Sequence, residues 1–249
     1  MSDEMIPVGR DDILPFRCGP DNECFNECCR DLNQFLTPYD IMRLKQHLGL
    51  RSAEFLKTYT ALHTGPESGL PVVTFKPNPD QGYACPFVSS EGCTVYENRP
   101  ASCRMYPLAR AVARSRETGE LTEYFALIEE DHCKGFSDQG GQTVGSWLEG
   151  QEVDAYNRVN DRLMEIISLK NSVRPGRLEG ALADKFYLAL YDLDTFRAEI
   201  FENQLLEDLD VPADILDRIR ADDASLLSFG LIWVRHVLFG REMDYTEMA

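Results

Sequence analysis

RCGPDNECFNECCR, residues 17–30, sets four cysteines in a run of Gly, Pro, Asn, Asp and Glu. Such a run has no apolar stripe of helix or strand period for a thiol to fill. Cys18, Cys24, Cys28 and Cys29 therefore do not read as buried packing residues, the usual setting of a free cysteine. Four more follow in similar surroundings. Cys85, Cys93 and Cys103 lie in ACPFVSSEGCTVYENRPASCRMYP (residues 84–107), and Cys133 lies in DHCKGF (residues 131–136). None occurs after Cys133.

A disulfide framework requires an oxidising compartment. The N-terminal MSDEMIPVGRDD has no basic start, no apolar run and no small-residue cleavage site, so a cytoplasmic protein with reduced thiols is the expectation. The longest apolar stretch, Leu226 to Phe239, is interrupted by Ser228, Gly230, Arg235 and His236, too broken to suggest a membrane span. Metal or cluster ligation is the remaining use for eight thiols.

The spacing refines this reading. Residues 18–29 form C-x5-C-x3-C-C, and no C-x-x-C occurs. Zinc ribbons bring ligands in as such close pairs, whereas iron–sulfur clusters tolerate varied spacing because each cysteine meets a different iron. Side chains of adjacent residues diverge by about 100° on a helix and about 180° on a strand. Cys28 and Cys29 thus do not suit one mononuclear ion. Two four-cysteine sites, or one cluster with accessory thiols, both remain open. The cofactor read from this pattern is an iron–sulfur cluster, most simply 4Fe-4S, with zinc or iron ions as the alternative.

Thiolate sites need positive charge nearby. Arg17, Arg30, Arg99, Arg104 and Lys134 flank the cysteines, and Arg30, Arg99 and Arg104 are candidate cofactor-binding residues. His132 beside Cys133 is a candidate substitute ligand. The 249 residues carry 25 Lys+Arg against 42 Asp+Glu, a net charge of −17. That balance argues against nucleic acid and anionic membranes as ligands. A protein or redox partner is the expectation. No G-x-x-x-x-G-K-[ST], G-x-G-x-x-G or G-x-S-x-G motif is present, and nothing marks a catalytic residue.

Element signals give an α+β fold. Residues 1–142 read as a small cysteine-cluster metal-binding domain with a few short strands and helices. Residues 143–249 read as a helical C-terminal region packing on it. Thr37-Pro38-Tyr39-Asp40 starts a helix that Gly49 stops. Ser52 is read as the cap of a second helix. Val72 to Phe75, Cys93 to Tyr96 and Glu123 to Ile128 read as strands. Arg99-Pro100 opens a helical turn carrying Cys103, and Gly140-Gly141 reads as a flexible join. In the C-terminal third, Tyr156 to Ile167 and Leu182 to Ile200 repeat at helical spacing. Pro212 and Asp222 or Asp223 open the last two helices. Leu227, Leu231, Val234 and Leu238 read as core rather than as a partner-binding face.

Phe16 and Cys18, Cys28-Cys29-Arg30, Leu36-Thr37 with Asp40, Cys85-Pro86-Phe87, Gly92-Cys93 with Tyr96, Arg99-Pro100, Cys103-Arg104, Tyr106-Pro107 and Cys133 with Gly135 occur in one order. That combination resembles the YkgJ-like cysteine-cluster family, described as chelating zinc or iron, over residues 16–136. The family often has two residues between its first two cysteines, where this chain has five. The resemblance implies metal or cluster binding through the cysteines. One branch resembles flagellin lysine N-methylases, which gives a metal-dependent protein methylase as the enzymatic alternative, beside a zinc-stabilised interaction module. From sequence, replacing Cys85, Cys93 or Cys103 is expected to lose metal, and Cys24 to be the most tolerant position.

Overall fold

The computed structural model describes residues 5–30, 34–76, 78–115, 117–136 and 141–248. It is a mixed α+β structure with a helical C-terminal region. The chain forms two compact units, Met1–Leu32 with Pro77–Arg158, and Asn33–Lys76 with Val159–Ala249. The division read from sequence, between 142 and 143, does not coincide with this one. Residues 143–158 group with the cysteine-bearing segments, and 33–76 group with the C-terminal helices.

The first unit is built on an antiparallel three-stranded sheet. Leu121–Ile128 lies between Met5–Val8 and Leu108–Arg114. Ile13–Leu14 pairs with Gln142–Thr143, and Val88–Ser89 pairs with Gly92–Cys93. Leu14, Phe16, Leu108, Phe125, Leu127, Val144 and Leu148 form the buried core. The helix Val144–Gly150 is capped by the Thr143 hydroxyl, which accepts from the Ser146 N–H at 3.1 Å. Gly141 is no slack join. A Cβ there would stand 2.6 Å from the Leu14 carbonyl oxygen, so the close strand pairing requires glycine. Gly140 lies outside the described residues.

In the second unit, the helix Pro38–Leu48 carries the expected capping box at Thr37 and Asp40, and Gly49 ends it at φ 65°. Phe35–Leu36 and Thr60–Thr64 flank Pro71–Phe75 in a second antiparallel sheet. The helices Gly180–Leu190, Leu193–Phe201, Ala213–Ala221 and Asp223–Phe239 complete the unit. Lys45, nearly buried, pairs with Asp194 at 3.0 Å and with Asp223 at 2.8 Å. These bonds join residues far apart in sequence, which explains why 33–76 sit with the last third. Leu227, Leu231, Val234 and Leu238 are all buried.

Three local expectations are corrected. Ser52 is the first helical residue and Arg51 the cap, because the Ser52 N–H and hydroxyl both donate to the Asp194 carboxylate. The strand at Cys93 ends there. The Thr94 N–H and hydroxyl bond the Phe87 carbonyl, and Tyr96–Asn98 then turns as a 3-10 helix. The Leu182 to Ile200 stripe is two helices, broken where the Asp192 side chain caps the second.

Candidate metal centre

The site is assembled by one backbone contact. Arg17 donates its N–H to the Gly135 carbonyl at 2.9 Å, and Phe16 bridges Phe136 in antiparallel fashion. A Cβ on Gly135 would fall 2.6 Å from Phe16 Cε2 and 2.8 Å from the Arg17 carbonyl oxygen. Only glycine allows that approach. The contact sets Cys18 and Cys133, 115 positions apart in sequence, on the same cavity.

Cys18, Cys24, Cys28 and Cys133 line this cavity of about 270 Å³, mouth included, with Phe16 and Tyr106 as aromatic wall and Asn22, His132 and Gly135 completing it. Cys24 lies within the turn closed by the Phe25 N–H on the Asn22 carbonyl, and Cys28 and Cys29 sit on the short 3-10 turn Glu27–Cys29. The Lys134 backbone N–H donates to the Cys24 sulfur at 3.0 Å. None of the eight cysteines is in a disulfide.

Cys85 precedes the small hairpin and Cys93 is paired within it. Cys85 donates its N–H to the Cys29 carbonyl at 2.8 Å. The Phe87 and Val88 N–H groups pull the Cys85 thiol down, and the Val95 N–H does the same to Cys93. Such donors stabilise a thiolate. Cys103 is exposed on the short helix Ala101–Met105. Among the described residues, no three Cys, His, Asp or Glu side chains are gathered closely enough to hold an ion as they stand. The four sulfurs frame a cavity rather than a closed cage.

Burial pushes the Cys18 thiol up, and the charges of Cys28, Cys24 and Cys133 push it further. The Cys28 thiol is raised by its hydrogen bond with Cys29 and then by burial. Burial pushes Cys85 up to about 11 against the pull of the Phe87 N–H, and burial raises Cys93 as well. Crowded thiols with raised values keep their protons until a cation takes their place. Burial, followed by the Cys133 sulfur, raises Tyr106 far above the ordinary tyrosine value, so it is a neutral donor.

The flanking cations divide. The Arg17 guanidinium turns to Asp21, Arg30 to Glu27, and the Lys134 ammonium to the Asp131 carbonyl. Arg99 is the cation whose charge acts on Cys93, Cys103 and Cys18. It lies 3.8 Å over the Tyr96 ring and donates to the Tyr96 carbonyl at 2.6 Å. Arg104 is buried, and its donors go to the carbonyls of Arg99, Gln151 and Glu97. It fixes the loop that carries Arg99. His132 stands half-exposed at the rim, 3.6 Å from Glu130. Asn22 carries no sequence signal; its amide donates to the Arg17 carbonyl at 2.8 Å and shapes the cavity wall.

Converging thiols, N–H groups aimed at sulfur and a nearby guanidinium define a thiolate-rich metal-chelating domain. Residues 17–134 match the family model described as "Putative zinc- or iron-chelating domain", that of the YkgJ-like family. No curated protein and no solved structure matches the chain. Among the described residues no helix is long and apolar enough to cross a membrane.

Proposed function

We propose that Cys18, Cys24, Cys28 and Cys133 hold an iron–sulfur cluster, 4Fe-4S in type, for redox or structural use in a reducing cytoplasm. The observation that supports it is four sulfurs around one cavity without three of them close enough to share an ion. A single zinc needs its sulfurs at about 2.3 Å from one point. A cubane spreads its ligands over separate irons. The donor set is soft thiolate, which suits either. A cluster supplies one-electron chemistry to a partner protein, and the strongly acidic chain argues against nucleic acid as that partner.

Anaerobic purification tests this reading. Brown protein with matched iron and acid-labile sulfide, and broad absorbance at about 400 nm, is the expected result for a thiolate-held cluster. A colourless protein with stoichiometric zinc and no sulfide overturns it. A second reading has its own support. The N–H groups that act on Cys85 and Cys93, beside the bond from the Cys85 N–H to the Cys29 carbonyl, suit a structural zinc or iron ion on which Cys29, Cys85 and Cys93 would have to close. In that reading Cys28 and Cys29 serve neighbouring centres.

A further inference from the structure

The hydroxyl of Tyr106 is closed off from solvent and has no hydrogen-bond partner of full geometry. Burying such a group unsatisfied costs roughly 1–3 kcal/mol, and a phenylalanine would fill the same space without that cost. The ring is held in place. Phe16 meets it edge-on with centroids 5.9 Å apart, and the Tyr106 N–H closes the helical turn on the Ser102 carbonyl at 3.0 Å. Tyr106 lines the cavity, where the Cys133 sulfur and the Glu130 carboxylate face its hydroxyl closely enough to raise it.

We infer that Tyr106 is a positioning residue whose hydroxyl donates to sulfur of the bound centre, at the Cys133 thiolate or at a sulfide beside it, and so raises the centre's reduction potential. The inference rests on the reading of the cavity as an iron–sulfur site. A hydrogen bond to cluster sulfur stabilises the more negative, reduced state. It also gives the buried hydroxyl an acceptor of full geometry. Asn22 is a poor substitute, because its amide is committed to the Arg17 carbonyl. His132 is half-exposed and turned toward Glu130.

The test uses the full chain, reconstituted without oxygen with iron and sulfide. Iron and sulfide content of the parent protein decides the cluster reading by itself. Given a cluster, Tyr106→Phe is expected to keep the parent's iron and sulfide while its midpoint potential falls and its Fe–S stretching frequencies shift. Replacing Tyr106 with 3-fluorotyrosine keeps ring and hydroxyl, makes the hydroxyl a stronger donor and is expected to move the midpoint upward. Unchanged potentials in both proteins, with the cluster present, overturn the inference and leave the cluster reading intact. Should the phenylalanine variant fail to hold iron, the fluorotyrosine protein decides alone: an upward shift supports the bond and no shift overturns it.

Discussion

The backbone N–H of Lys134 donates to the Cys24 sulfur across 3.0 Å, closing a loop of 110 residues. Cys24 stands after the longer first spacer, where sequence alone suggested most tolerance. The cavity gives it a defined place beside Cys18, Cys28 and Cys133. Cys24→Ser is therefore expected to weaken metal retention at least about tenfold, as even outer contacts of metal sites do. Cys18→Ser, Cys28→Ser and Cys133→Ser should match it. Iron and zinc content after gel filtration provides the measurement, and a fully loaded Cys24→Ser protein counts against the four-sulfur assignment.

Gly135→Ala pushes a methyl against Phe16 and the Arg17 carbonyl. Overpacking of this kind costs roughly 1–3 kcal/mol. The Arg17–Gly135 bond also sets Cys18 against Cys133, so the variant should lose both stability and metal content. Thermal unfolding and elemental analysis read the two effects separately.

Arg104→Lys replaces a fork that satisfies three carbonyls with a single ammonium. The metal-free protein is expected to lose about 1–3 kcal/mol, the cost of leaving buried acceptors unpaired. A variant whose metal-free stability equals the parent's would show that Arg104 works only through the bound centre.

Metal uptake should release protons. Cys18, Cys28, Cys85 and Cys93 all have values raised from 9.0, so at neutral pH the metal-free thiols are protonated and ligation displaces those protons. Affinity rises with pH as a result. Calorimetry in buffers of different ionisation enthalpy counts the protons, and a heat independent of buffer contradicts the expectation.

Asp223 acts in the other unit. Burial raises its carboxyl, but hydrogen bonds from Lys45 and Arg197 outweigh this and hold it at about 2, against 3.8 when unfolded. A lowered folded value means that the unfolded chain takes up the proton first as pH falls. The stabilisation is thus complete above about pH 4 and disappears as pH drops through about 2. Its size is about 2 kcal/mol. Asp223→Asn should cost about that at neutral pH, with the gap from the parent narrowing in acid, as measured by urea unfolding.

Local chemistry was legible in the sequence. The capping box at Thr37 and Asp40, the glycine stop at Gly49 and the turn carrying Cys103 all follow from residues a few positions apart. The division into units was not, because it depends on Lys45 meeting Asp194 and Asp223 across most of the chain. The thiols were legible as candidate ligands. Their grouping was not: neither spacing nor composition shows that Gly135 lets the chain return to Arg17, or that Arg99 turns its charge on Cys18 and Cys93.

The pairing of Arg17 with Gly135 also orders events during synthesis. Three sulfurs of the cavity leave the ribosome early, while Cys133 follows more than 100 residues later. Through that interval the nascent polypeptide carries reactive, unliganded thiols. On the proposed four-sulfur reading, insertion of an inorganic centre would wait for the last of them, and the half-made chain, not the finished protein, would be the species most open to oxidants.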